Sequence, residues 1–106
     1  MGAEPADGFV AVLTIDLHFP DAASLKAKRR ELAPVKAFLQ GRAGAAVAEV
    51  AHQDRWQRAT LVAALAGRRA AQVNEAADGI ERWLDARFPQ GAGVHRIIAS
   101  LRDLQG

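Results

Sequence analysis

The chain contains no cysteine and no tyrosine, a single methionine, and aromatic residues make up only 6% of it. Without cysteine there is no disulfide framework, no thiolate zinc site, no thiol nucleophile and no cysteine-held iron–sulfur cluster. The same absence suits a reducing compartment. Long apolar runs are also missing: stretches such as Phe9 to Leu13 and Ala63 to Ala66 fall far short of the ~20 residues that a membrane-spanning helix needs. Met1 to Asp7 carries no basic segment, so no secretory leader is expected, and Ala6 stands where a myristoylation pattern needs Ser or Thr.

What is present is ordinary globular material. The 106 residues are 50% hydrophobic and 25% charged, which argues against disorder. That length suits one domain, burying roughly 60–68% of its unfolded surface. The sequence pI of about 9.7 overstates the basicity, because the net charge is only +2. With no Tyr, no Cys and few Lys, little titrates between neutrality and pH ~10, and a small surplus drags the pI upward. Attraction for nucleic acid must therefore come from local clustering.

Residues 1–8 read as a loose arm, 9–102 as the domain and 103–106 as a frayed tail. Leu13, Ile15 and Leu17 alternate with Thr14, Asp16 and His18, the period-two pattern of a half-buried strand. Ser24 is an N-cap candidate for a helix whose apolar stripe is Leu25, Leu32, Val35 and Leu39. Pro34 predicts a kink or a restart in it, and Gln40-Gly41 its end. Ala45 to Ala51 is read as a strand, against its alanine-driven helix propensity, because Trp56 to Ala66 behaves as its hairpin partner. Arg68 to Phe88 forms the second helix, with Val73, Ala76, Ala77, Ile80, Leu84 and Phe88 on its apolar stripe. Val94 to Leu101 is a last strand.

The order strand–helix–strand–strand–helix–strand, with right-handed crossovers, predicts a ferredoxin-like two-layer α+β sandwich. It has a four-stranded antiparallel sheet with two helices on one face. Leu13, Ile15, Leu17, Leu61, Leu65, Ile97 and Leu101 are expected under the helices, with His95 partly buried beside them. The open face is expected to show Thr14, Asp16, His18, Arg58, Thr60, Arg96, Ile98 and Ser100. This set lacks the stacking aromatics of an RNA recognition motif. The segment after the first strand lacks the arginine and glycine of an acylphosphatase phosphate loop, and a metal chaperone's cysteine pair is absent.

Lys26, Lys28, Arg29 and Arg30, with Lys36 further along, form the strongest local charge cluster, read either as a solvated helix face or as a surface for sequence-independent phosphate contact. Trp56 is either a partner anchor or, the favoured reading, a lid over the sheet edge, and Glu49 with Arg58 is a candidate cross-strand pair. His18, His52 and Asp54 are the raw material for a small-molecule or metal site, but no third ligand is fixed, and no metal or other cofactor is expected.

The blocks Ser24-Leu25-Lys26-Ala27-Lys28-Arg29 and Val47-Ala48-Glu49 through Asp54-Arg55-Trp56-Gln57-Arg58-Ala59 resemble the YlxP-like family, a bacterial family of unknown function. Ala27 stands where members often carry Glu. The resemblance implies a ferredoxin-like fold, a cytoplasmic bacterial protein and, through genes neighbouring translation initiation factor and ribosome-binding factor A, a link to ribosome maturation or translation. It carries no catalytic residues. The expectation is a non-enzymatic accessory protein that meets RNA or a ribosomal subunit through Lys26, Lys28, Arg29, Arg30, Trp56 and Arg58, with Glu49, Asp54 and Gln57 as motif residues of structural use. The alternative is a homodimeric module using the open sheet face.

Overall fold

The computed structural model describes residues 7–106; most of the predicted N-terminal arm lies outside them. Strand β1 (Phe9–His18) leads to helix α1 (Leu25–Ala37), which passes into a π-helical turn (Phe38–Arg42). Strands β2 (Ala46–Ala51) and β3 (Arg58–Gly67), helix α2 (Ala70–Arg87), strand β4 (Gly93–Ser100) and the short helix α3 (Leu101–Leu104) complete the chain. The sheet is antiparallel with order β2-β3-β1-β4. This is the expected α+β arrangement, and the alanine-rich middle segment is a strand, as its hairpin partner requires.

The core lies between the sheet and the helices. Ala11, Leu13, Ile15 and Leu17 of β1, Ala59, Leu61, Ala63 and Leu65 of β3, Leu32, Val35 and Leu39 from the first helical segment, and Val73, Ala77, Ile80 and Leu84 of α2 are all buried. Each fully buried Leu, Ile or Val contributes about 1.5–3 kcal/mol relative to exposure. Ser24 caps α1 by accepting from the Ala27 amide at 3.0 Å.

Helix α1 continues through Pro34 without the restart that was one of the two expectations there. The proline forfeits one intrahelical hydrogen bond, and the carbonyl it would have met belongs to the exposed Arg30, where water can serve it. Nor does Gly41 end the element. The chain continues to Arg42 with a five-residue-spaced bond from the Ala43 amide to the Phe38 carbonyl (3.0 Å). The reversal falls at Gly44, whose φ of +69° suits a residue without Cβ. Trp83 on α2 stacks on Phe38 with ring centroids 4.1 Å apart, fastening the π turn to the second helix.

β4 takes the opposite phase from the one expected. Ala11 pairs with Ile98, Leu13 with Arg96 and Ile15 with Val94, so these β4 residues face the helices. Ile97 and His95 turn to the open face, where both are exposed. Both phases of this strand carry branched apolar residues, so alternation alone leaves the choice open. Arg96 decides it: Asn74, Asp78 and Glu81 share one side of α2, and Arg96 reaches all three, Asn74 at 3.2 Å, Asp78 at 2.9 Å, and Glu81 in close contact. Burial works against the Arg96 charge, but the hydrogen bonds it donates to Glu81 and Asp78, together with their charges, outweigh it and hold its pKa above the ordinary value.

The strand stops at Ser100 and not Leu101, and residues 101–104 are helical where the expectation was strand end and frayed tail. Ser100 accepts from the Asp103 amide at 3.0 Å while the Asp103 carboxylate accepts from the Ser100 amide at 3.2 Å, a reciprocal capping box. The Ser100 backbone bond, then its hydroxyl, hold the Asp103 carboxyl below the usual carboxylate range. A depressed folded-state pKa means that the cap is intact above the ordinary carboxylate pKa and is lost as pH falls through the lowered one. A carbon-detected NMR titration should place Asp103 below the ordinary carboxylate value, and Ser100→Ala, which removes the hydroxyl but keeps the backbone bond, should raise it part of the way back.

Candidate functional site

The two sequence blocks meet in space, and a lysine joins them. Lys28 sits one turn before Leu32 on α1 and is only 1% exposed. Its ammonium donates to the carbonyls of His52 (2.9 Å), Arg58 (3.2 Å) and Gln53 (3.3 Å). Three N–H groups thus meet three carbonyls at the β2–β3 connection. Glu49 Oε2 lies 3.5 Å away and makes no hydrogen bond, so its role toward Lys28 is that of a counter-charge. Lys36 approaches the other Glu49 oxygen at 3.5 Å from a more exposed position.

The connection is held from other sides too. Gln57 donates from its side-chain amide to the carbonyls of Pro20 (3.2 Å) and Ala22 (3.4 Å), and its own carbonyl accepts from the Phe19 amide at 2.9 Å. The Gln53 amide reaches the Glu49 carbonyl at 3.3 Å. His52 adopts φ of +65°, a left-handed conformation that aims its carbonyl at both Lys28 and the Arg55 amide. The β2–β3 connection is therefore fixed against α1 and the β1–α1 connection, with Asp54, Arg55 and Trp56 left at the surface.

Several expectations change here. Lys28 does not project from α1; it is in the core, and of the expected basic cluster Lys26, Arg29 and Arg30 remain exposed. Glu49 pairs with Lys28 and Lys36, not with Arg58, because Glu49 faces the helices while a register shift between Glu49 and Ala51 separates it from the last pairs of the hairpin. Trp56 is 52% exposed in the connection. Asp16 meets neither Arg58 nor Arg96; it accepts from Thr60 Oγ1 at 2.6 Å, which explains how Thr60 is buried. Arg58 sits opposite His18 at the end of the β1–β3 ladder.

Among the described residues no three His, Asp or Glu side chains are placed to hold a metal ion. A shallow cavity of about 390 Å³ opens beside His18, Asp21, Arg87 and Phe88. His52 and Asp54 are not part of it, so the structure does not bring the three candidate ligands together. Sequence reasoning set Lys36 on the outward basic side of the first helix without its Glu49 partner, and did not single out Arg55. The spacing from Lys28 to Lys36 was a usable signal, since eight residues return to the same side of a helix.

A family model described as "Protein of unknown function (DUF503)" matches residues 10–95, and the chain belongs to that family. No curated protein matches it. Among solved structures, the "De novo designed protein Foldit4" is similar over 88% of this chain and 97% of that one, with a TM-score of 0.56 at 10% identity, a likeness of fold alone.

Removing the Lys28 charge should be the costliest single change at this junction. Lys28→Met leaves three carbonyls without their donor and Glu49 with Lys36 as its one remaining cation, at a cost of about 3–5 kcal/mol. Lys36→Met removes a half-exposed partner and should cost below about 1 kcal/mol, with Glu49→Gln between them. Urea unfolding of the three variants tests that order.

Proposed function

We propose that this protein is a non-enzymatic, cytoplasmic accessory factor that binds RNA, in the setting of a ribosomal subunit, through the exposed end of α1 and the β2–β3 connection. The supporting observation is the Lys28 junction. It ties the connection that carries Arg55, Trp56 and Arg58 to the helix that carries the exposed Lys26, Arg29 and Arg30. The guanidinium and ammonium groups suit a phosphate backbone, and an exposed indole suits stacking on an unpaired base. The resemblance of both blocks to the YlxP-like family, with its translation-linked gene neighbourhood, supports the same reading. In this reading the surface positions its partner and does not catalyse.

The reading predicts binding to single-stranded RNA that weakens steeply with salt, with a log–log slope of about −3 for roughly four neutralised phosphates. Reversing Lys26 and Arg29 to Glu should flatten the slope by about 1.4, and Trp56→Ala should cost about 1–3 kcal/mol if the indole stacks on a base. Fluorescence anisotropy with a labelled oligonucleotide, alongside co-sedimentation with ribosomal subunits, provides both measurements. Equal retention of the charge-reversed protein would contradict the proposal.

A further inference from the structure

The inverted phase of β4 changes the character of the uncovered sheet face. Arg96, expected there, is under α2, and Ile97 takes its place at 54% exposure. Along the strands, the register sets the open-face residues in rows. One row runs Ala46, Ala64, Val12, Ile97 from β2 to β4; the next runs Ala48, Val62, Thr14, His95. A third holds Ala66, Val10 and Ala99. No charged side chain stands in these three rows, and no described residue covers them. A contiguous apolar face on this scale marks an interaction surface.

We propose that a second copy of this chain covers this face, with the two-fold axis running parallel to the strands. Such an axis keeps strand direction and superposes each row on its own equivalent, while exchanging the two edges of the sheet. The small Ala46 and Ala48 on β2 then lie opposite the largest side chains, the partner's Ile97 and the partner's His95 on β4. The size gradient across the first two rows becomes complementary when doubled. An axis perpendicular to the strands would instead set β4 against β4, crowding Ile97 and His95 together, and would press the charged end that holds Asp16, His18 and Arg58 onto the apolar end. Sheets packed face to face in this way align within about 30°.

Area supports an assembly of this kind. Four strands at ~4.8 Å spacing and about seven residues at ~3.3 Å give a face of roughly 450 Å². Two such faces, with the side chains at their margins, bury on the order of 1,000 Å², the lower limit for a specific interface. The dimer is therefore expected to dissociate on dilution. It leaves the end of α1 and the β2–β3 connection free, so it does not rest on the RNA reading and survives that reading's failure.

Sedimentation velocity of the full chain from about 5 to about 500 µM tests the self-association, a range set by the modest area. The mass should double across that range, and Ile97→Asp, at an exposed position, should remain monomeric at every concentration with an unchanged circular dichroism spectrum. The absence of native cysteine allows the axis to be read directly. A mixture of Ala46→Cys and Ile97→Cys proteins should be joined by a rigid bismaleimide spanning about 10 Å, the separation of two packed sheets. Neither alone should be joined by it, because equivalent positions are offset by a further three strand spacings, roughly 14 Å, across the face. A wild-type monomer throughout, as when the face serves another partner, would overturn the proposal. So would association untouched by Ile97→Asp, or cross-linking of Ile97→Cys with itself in place of the mixture.

Discussion

One buried ammonium group organises the end of this molecule. The Lys28 side chain enters the layer between helix and sheet, and its three protons meet three main-chain carbonyls of a connection that has no regular structure of its own. Those carbonyls face inward because His52 takes a left-handed conformation and because Gln57 holds the far side of the connection to Pro20 and Ala22. A loop with inward-facing carbonyls and no donor would carry a desolvation cost of several kcal/mol. The lysine removes it, and Glu49 nearby offsets the buried charge. These contacts tie α1, the β1–α1 connection and the β2–β3 connection to one another.

This gives the two sequence blocks a physical meaning. Ser24 starts the helix that carries Lys28; Glu49 supplies the counter-charge; Gln57 and Arg58 supply main-chain acceptors and a second tether. The blocks lie about two dozen residues apart in the chain because a helix, a π turn and a strand separate the two halves of one junction. Residues at its surface, Lys26, Arg29, Arg30, Arg55 and Trp56, are then free to vary their task without disturbing the support beneath them.

Much of the fold was legible in the alternation of β1 and β3 and in the apolar stripes of both long helices, since each of these has one strongly preferred buried side. β4 was not, because Ile97 and Ile98 give both phases an apolar claim, and the choice is made by a polar contact between Arg96 and a stripe of α2. Asn74, Asp78 and Glu81, spaced by four and three, signal that stripe in the sequence. Lys28 was misplaced for a related reason. Positions 25, 28, 32, 35 and 39 repeat at three and four, so Lys28 occupies a core position of the stripe; charge alone suggested solvent. A lysine in a core register is a request for acceptors, and the irregular connection of the hairpin supplies them. Pro34 and the π turn show the reverse case, where local rules predicted a break and packing by Phe38 and Trp83 carries the chain through.

The sandwich leaves two surfaces with different chemistry: a cationic end supported by the Lys28 junction, and an uncharged sheet face made apolar by the phase of β4. The first depends entirely on the state of one amine. The chain has only three lysines, Lys26, Lys28 and Lys36, so nitrogen-15 NMR of the side-chain ammonium groups resolves it. The account predicts one ammonium signal whose protons exchange slowly with water at neutral pH and show scalar coupling to carbonyl carbons, and which disappears in Lys28→Arg. Three rapidly exchanging, equivalent ammonium groups would contradict it.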